Sequence, residues 1–261
     1  MDQAALISSA ERRLDLVFAD TFATLRVQLE KALAELQLGA DGKIEASTFN
    51  AARVRNLLHS LQVEARNAGM GNAIDSVVDE LKTLSTSILD QAGDLGLPSV
   101  FTETTGQSVK DLIWDAQRTV IDRERSIASD LEKLLIRSYT GATKRDDLLL
   151  NIAAKLKGNM RDAITEASEV VSNFATQTRV THFGEAGVEW WTFDGPMDER
   201  TSEWCGHFVG RRVTMDMADS YATAWGRKHP LPPSISGGHY GCRHEWVPLV
   251  VDLKKYPIGP R

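Results

Sequence analysis

The residues best suited to chemistry are thiol and imidazole side chains gathered near the carboxyl end of the chain. They are Cys205, His207, His229, His239, Cys242 and His244. Structural zinc sites use four nitrogen or sulfur ligands in tetrahedral geometry, and they often take one pair of ligands from each of two separated turns. The clustering is compatible with such a site.

The segment from His239 to His244 is the most compact group of these ligands. Its glycines allow a tight turn, and Cys242 and His244 would share one face of a strand, because side chains alternate along a strand. The two could then bind one ion. A carboxyl-terminal domain of about 75 residues has a limited core, so a bound metal would add stability that burial alone supplies poorly.

Other interpretations of the same residues stay open. The cysteines could be buried thiols beside hydrogen-bonded histidines, or Cys205 and Cys242 could form a disulfide. An enzyme would need three ligands and a water on zinc, with Asp198, Glu199 or Glu245 as base, or a nucleophile pair of Cys205 and His207. The sequence contains neither a His-Glu-x-x-His helix pattern nor a glycine-rich phosphate loop.

The composition excludes several classes of protein. The 261 residues are 42% hydrophobic and 25% charged, which is typical of a globular chain, and the two cysteines are too few for a disulfide scaffold. A formal charge of -6 lacks the basic excess of a protein that mainly binds nucleic acid. No apolar run approaches the roughly 20 residues of a membrane helix, so we expect no membrane contact and synthesis in the cytoplasm.

Residue types change sharply near position 180. Of eight prolines only Pro98 precedes residue 196, while both cysteines and five of the six tryptophans lie after residue 181. Proline interrupts helices, so this change predicts a helical region followed by a smaller, turn-rich domain. We place the boundary at Phe183-Gly184, which gives predicted domains 1–183 and 184–261.

Apolar residues recur every three to four positions in five blocks of the first domain, as in amphipathic helices. The blocks predict a first helix ending before Gly39, a second ending near Gly69, a third ending near Gly93, a linker near 93–100, a fourth over 108–139 and a fifth after Thr143. Helices of about 30 residues extend about 45 Å, so we expect an elongated bundle. His59 and Trp114 are interpreted as packing residues.

The second domain is predicted to hold a short antiparallel sheet with a helix or long loop. Strand formers suggest strands within 188–193, 208–213 and 243–251, and residues 198–202 suggest a capped turn. The fold class is therefore mainly α: an elongated amino-terminal helical bundle followed by a small α+β domain. A local basic strip could contact phosphate; it consists of Arg211, Arg212, Arg227, Lys228 and Arg243.

A set of uncommon residues in a fixed order carries a family resemblance over roughly residues 145 to 250. The set contains Arg161, Ala163, Thr165, Glu166, Trp190 or Trp191, Asp198, Arg200, Thr201, Cys205, Gly210, Pro232, Pro233, His239, Cys242, Arg243, Val247 and Pro248. In this order and spacing the chain resembles the bacteriophage minor head protein family typified by the phage Mu head morphogenesis protein.

The resemblance implies a virion component without catalytic activity, present in multiple copies but low number. It implies association with portal or major capsid subunits, at the head interior or the head-tail vertex, and a role in head assembly, DNA packaging or genome delivery. Local contact with packaged DNA is also implied. The alternative is a zinc-dependent hydrolase or a toxin-like effector, because the same head domain can be joined to toxin modules.

The resemblance also bears on the metal ligands. Family members often end the motif in Cys-Arg-Cys, where this chain has Cys242-Arg243-His244, and members can carry histidine at the position of Cys205. A disulfide could not survive a cysteine-to-histidine exchange, whereas a zinc site could. The resemblance therefore implies a structural zinc held by Cys205, His239, Cys242 and His244.

Overall fold

Long helices form the first part of the chain and a small sheet follows them. The computed structural model describes residues 3–140, 143–199, 201–225, 233–236, 244–250 and 258–259. The first part contains α1 (Gln3–Ala34), α2 (Thr48–Ala65), a π-helical turn (Arg66–Met70), α3 (Gly71–Asp94), α4 (Glu103–Thr140) and α5 (Arg145–Glu185). The second contains β1 (Trp191–Asp194), α6 (Glu203–Phe208), β2 (Arg212–Val213), α7 (Met215–Trp225), α8 (Pro233–Ser236) and β3 (Glu245–Pro248). The mainly α fold class with a small α+β carboxyl-terminal part is confirmed.

The chain divides into two compact units, and α1, α3, α4 and α5 each contribute residues to both units. The first unit comprises Met1–Ala10, Asp79–Asp115 and Glu169–Arg261, and the second comprises Glu11–Val78 and Ala116–Ser168. The domain boundary at residue 183 stays a prediction. Within the described residues, no helix combines the length and the apolar character needed to cross a membrane.

In the second unit, the apolar stripe predicted for the first helix is buried. Its predicted members on α1 are each at most 4% exposed: Phe18, Phe22, Leu25, Leu29 and Leu33. The last predicted member, Leu36, follows the end of α1 and is 6% exposed. Burying one such side chain contributes about 1.5 to 3 kcal/mol, so the stripe fixes the face of α1 that turns to the core.

The connection from α1 to α2 is held together by one buried amide, that of Asn50. Its Oδ1 accepts from the Gln37 backbone N–H at 2.9 Å, and its Nδ2 donates to the carbonyl oxygens of Gln37 at 2.8 Å and Glu45 at 2.9 Å. The side chain is fully buried, so these bonds replace those it would make with water.

The predicted end of the second helix near Gly69 corresponds to a kink rather than a loop. Gly69 has a φ of 113° inside the π-helical turn, and α3 begins directly after that turn. A Cβ at this position would lie 3.1 Å from the Thr21 hydroxyl oxygen. Glycine therefore suits both the backbone conformation and the close packing against α1.

The first unit has an aromatic core built around a three-stranded antiparallel sheet. The strand order is β2-β1-β3, with Trp191 of β1 opposite Val213 and Pro248. The core also contains Ile88 and Ala92 of α3 and Phe183 of α5. The sheet therefore does not bury its apolar face alone, and the ends of two long helices complete its core.

One strand prediction and the interpretation of two side chains were wrong. The segment predicted as a strand over 208–213 begins as helix, because α6 continues to Phe208 and only Arg212–Val213 is strand. Trp114 is 58% exposed and His59 is exposed, so neither is a packing residue. Trp114 lies off the face of α4 that buries Ala116 and Val120, as helical spacing requires.

The first turn of α4 is tied to the last residue of α5 by a carboxylate. The Glu185 Oε2 accepts from the hydroxyls of Thr102, at 2.6 Å, and Thr105. These hydrogen bonds, led by that from Thr102, hold the pKa of the Glu185 carboxyl below its ordinary value of 4.5.

Because the pKa of Glu185 is lower in the folded than in the unfolded protein, its hydrogen bonds stabilise the fold at pH values above the unfolded-state pKa. This stabilisation is lost as the pH falls through the folded-state pKa. We expect the wild-type melting temperature to fall more between about pH 6 and about pH 3 than that of Glu185→Gln. Thermal melts across this range measure the difference. The exposed Glu132 serves as control, and an identical pH profile for Glu185→Gln and Glu132→Gln would contradict the assignment.

Candidate metal centre

His244 is the described member of the predicted ligand set whose setting is most informative. It directly precedes β3, where Glu245 pairs with Asp194 at the end of β1. The imidazole is 8% exposed and is stacked on the Phe193 ring, with centroids 5.3 Å apart and planes 19° apart. The pairing of β1 and β3 therefore fixes the position of this histidine.

One hydrogen bond orients the His244 ring. Its Nε2 lies 2.9 Å from the Pro196 carbonyl oxygen, and a carbonyl oxygen can only accept. In the neutral ring the proton is therefore on Nε2 and the lone pair on Nδ1. Zinc-binding imidazoles usually donate their second ring N–H to a carbonyl or carboxylate in this way. That tautomer is the one in which an imidazole binds zinc through Nδ1.

Gly195 lies so close to His244 that a larger residue does not fit. A Cβ at Gly195 would lie 2.5 Å from Cδ2 and 2.9 Å from the Cα of His244, and the φ of Gly195 is 155°. The backbone of one segment thus passes directly against the other. This contact requires glycine at position 195.

We expect Gly195→Ala to destabilise the protein by about 2 to 3 kcal/mol, because the histidine and its backbone must shift. Gly206→Ala is the matched control: its Cβ would meet only the end of Met197, at 3.8 Å, and alanine is favoured in a helix. Urea unfolding compares the two variants. Equal stability of both would contradict the tight contact at His244.

Cys205 occupies the first turn of α6, a helix that begins because Ser202 caps it. The Ser202 hydroxyl oxygen accepts from the Cys205 backbone N–H at 3.2 Å, which agrees with the capped turn predicted here. Cys205 is 1% exposed. Its helical neighbours Trp204 and Phe208 pack edge-on against Phe193, with centroids 5.6 and 6.4 Å away.

Phe193 therefore links the two predicted ligands that the structure describes. Its ring stacks on His244 and makes an edge contact with Trp204, the residue next to Cys205. His239 and Cys242 lie outside the described residues. Among the residues that are described, no group of three His, Cys, Asp or Glu side chains could hold a metal ion. The donor types and the ring orientation fit zinc, and the four-ligand set stays a prediction.

The alternative nucleophile pair of Cys205 and His207 is disfavoured by its helix. Residues two apart on a helix do not face each other. The His207 ring instead packs against Tyr221, with centroids 5.6 Å apart, and Cys205 is buried in the aromatic core. The two side chains therefore lie in different environments and do not form a nucleophile pair.

A buried arginine that the sequence analysis missed braces β3. The Arg179 guanidinium of α5 donates to the Glu245 carboxylate at 3.1 Å and to the Trp246 carbonyl oxygen at 2.6 Å. Burial lowers the pKa of Arg179, and the nearby Glu245 carboxylate opposes that shift. β3 is an edge strand of the sheet, so this contact also covers a backbone acceptor that would otherwise need water.

One sequence signal could have revealed this role. Arg179 lies four residues after Ala175 and four before Phe183, and both of those side chains are buried. This spacing places the arginine on the buried face of α5. A cation on an apolar face calls for an anionic partner, although spacing alone does not identify Glu245.

Comparison of the chain with protein families, with curated proteins and with solved structures finds no match.

Proposed function

We propose that the protein is a structural minor component of a bacteriophage head, associated with the portal or the inner shell and acting in head assembly, DNA packaging or genome delivery. The proposal rests on the ordered set of residues by which the chain resembles the minor head protein family. Two of them are far apart in sequence and adjacent in the fold: Trp191 pairs with Pro248 across β1 and β3. Packing against a fixed neighbour restricts which residue types fit at such positions.

The placement of other motif residues supports the same proposal. Cys205 is buried in the aromatic core, and Gly210 has a φ of 71° in the turn between α6 and β2, which favours glycine. In the second unit, Ala163 is buried. The Glu166 carboxylate forms an ion pair with Arg123 of α4, with 3.5 Å between Oε1 and Nη1. Each of these residues has a defined structural task.

The helical part would provide docking surfaces for other head subunits. Leu16 and Val27 of α1 are 72% and 61% exposed, and their spacing of eleven residues puts them on one face of the helix. Large apolar side chains in that setting are candidates for burial at an interface. The carboxyl-terminal part would be the compact portion that this scaffold holds in the particle.

A closed zinc site would have a structural task in this account. Cys205, His239, Cys242 and His244 would hold the ion, which supplies tetrahedral crosslinking between segments distant in sequence. The chain's own residues prepare for it: Pro196 orients His244, and Ser202 starts the helix that bears Cys205. Four protein ligands would leave no open position for a reacting water.

Protein composition of purified particles tests the proposal. We expect quantitative mass spectrometry of gradient-purified mature particles, and of their assembly precursors, to find this chain in several copies per particle and fewer than the major shell subunit. Finding the chain only as a free soluble protein, with hydrolase activity on zinc loading, would contradict it and favour the enzyme alternative.

A further inference from the structure

A groove between α4 and α5 carries a local positive charge, opposite in sign to the net charge of the chain. The protein has a formal charge of -6, yet this groove of about 460 Å³ is lined by Lys133, Arg137 and Lys155 with Asp130 as its acidic side chain. It lies entirely within the second unit. The groove therefore has a local excess of positive charge that the total composition hides.

The charges of the groove are only partly neutralised. Lys155 pairs with Asp130 at 2.9 Å. Within the described part of the chain, neither Lys133 nor Arg137 has a carboxylate within 4.0 Å, and both are exposed. They are one helical turn apart, about 6 Å along the axis, so their side chains project from one face.

Two cations at this spacing repel each other by a few tenths of a kcal/mol. The dipole at the end of α4 offsets this for Arg137, which lies in the last turn. An anionic ligand would compensate both cations at once. The groove also offers the Asn151 side-chain amide of α5 as a hydrogen-bond donor.

We propose that this groove binds the phosphodiester backbone of nucleic acid. Arginine donates two parallel hydrogen bonds to phosphate and lysine adds a point charge, which is the chemistry of backbone contacts. The groove offers only Leu134 and Ala154 as apolar lining, too little for the anchors of a protein interface. The inference rests on the proposed function in naming packaged DNA as the nucleic acid, and it assigns the contact to the helical part instead of the basic strip near Arg211.

Fluorescence anisotropy with a labelled 30-base-pair DNA duplex and the full chain tests this assignment. We expect salt-sensitive binding of the wild type at about 50 mM salt and binding about tenfold weaker for the double variant Lys133→Gln/Arg137→Gln. Because each phosphate contact contributes about 0.9 to the slope of log K against log salt, the slope should become shallower by about 1.8.

The matched control is Lys157→Gln/Arg161→Gln, a second exposed basic pair one turn apart, outside the groove lining. We expect less than twofold weakening for it, and thermal melts confirm that both variants fold. Equal weakening in both variants, no wild-type binding, or equal competition by a poly-glutamate peptide would overturn the proposal. The assay uses purified protein, so absence of the chain from particles would leave its result unchanged, and loss of DNA binding would not alter a location in the particle.

Discussion

Replacing Glu245 by glutamine should lower the free energy of unfolding by about 3 to 5 kcal/mol. The Arg179 side chain is 4% exposed, and its guanidinium lies 3.1 Å from the carboxylate that would be removed. A cation buried without its counter-ion loses the attraction that offsets its desolvation. Urea unfolding followed by tryptophan fluorescence measures the loss, because Trp191, Trp204 and Trp246 lie in the core that this pair braces.

A second substitution separates the ion pair from simple packing. Arg179→Met should cost less than Glu245→Gln, since methionine tolerates burial and the carboxylate left behind is 24% exposed. The double variant Arg179→Met/Glu245→Gln should then be more stable than Glu245→Gln alone, because it leaves no buried cation without a partner. Glu189→Gln, at an exposed carboxylate, should change stability by less than about 0.5 kcal/mol. A loss as small for Glu245→Gln as for Glu189→Gln would contradict a buried ion pair.

Purified protein should contain about one zinc per chain, and removal of the zinc should destabilise the aromatic core by about 3 kcal/mol or more. Metal binding to a site absent from the unfolded chain adds directly to folding free energy. Elemental analysis gives the zinc content, and thermal melts with and without chelator give the stability. Cys205→Ser and Cys242→Ser should each reproduce the effect of the chelator.

His207→Gln is the control for the zinc site, since His207 is close in sequence to Cys205 and lies outside the predicted ligand set. It should retain zinc, so that chelator still lowers its melting temperature, whatever stability it loses with contacts such as that to Tyr221. Metal-free protein with an unchanged melting temperature would eliminate the zinc site. Zinc loss in His207→Gln with retention in Cys205→Ser would require a different ligand set.

Features that depend on local periodicity were predictable from the sequence. The buried stripe of α1, from Phe18 to Leu33, follows from the recurrence of apolar residues every three to four positions. The same spacing rule, applied to Trp114, would have placed it away from the buried face of α4.

Features that depend on distant pairing were not predictable. The partner of Arg179 is 66 residues further along the chain, and no local signal connects them. The contribution of Ile88 and Ala92 to the core of the sheet likewise depends on tertiary packing. Of the ligand set, the sequence identified the residue types, whereas the orientation of His244 by Pro196 depends on the register of β1 and β3.

Imaging assembled heads by electron microscopy tests the central claim most directly. The account predicts density that fits the long helices, including α4 and α5, at the portal or on the inner shell of mature particles or their precursors. Heads imaged at sufficient detail to trace every subunit, with no density for this chain in either form, would contradict a structural role in the particle.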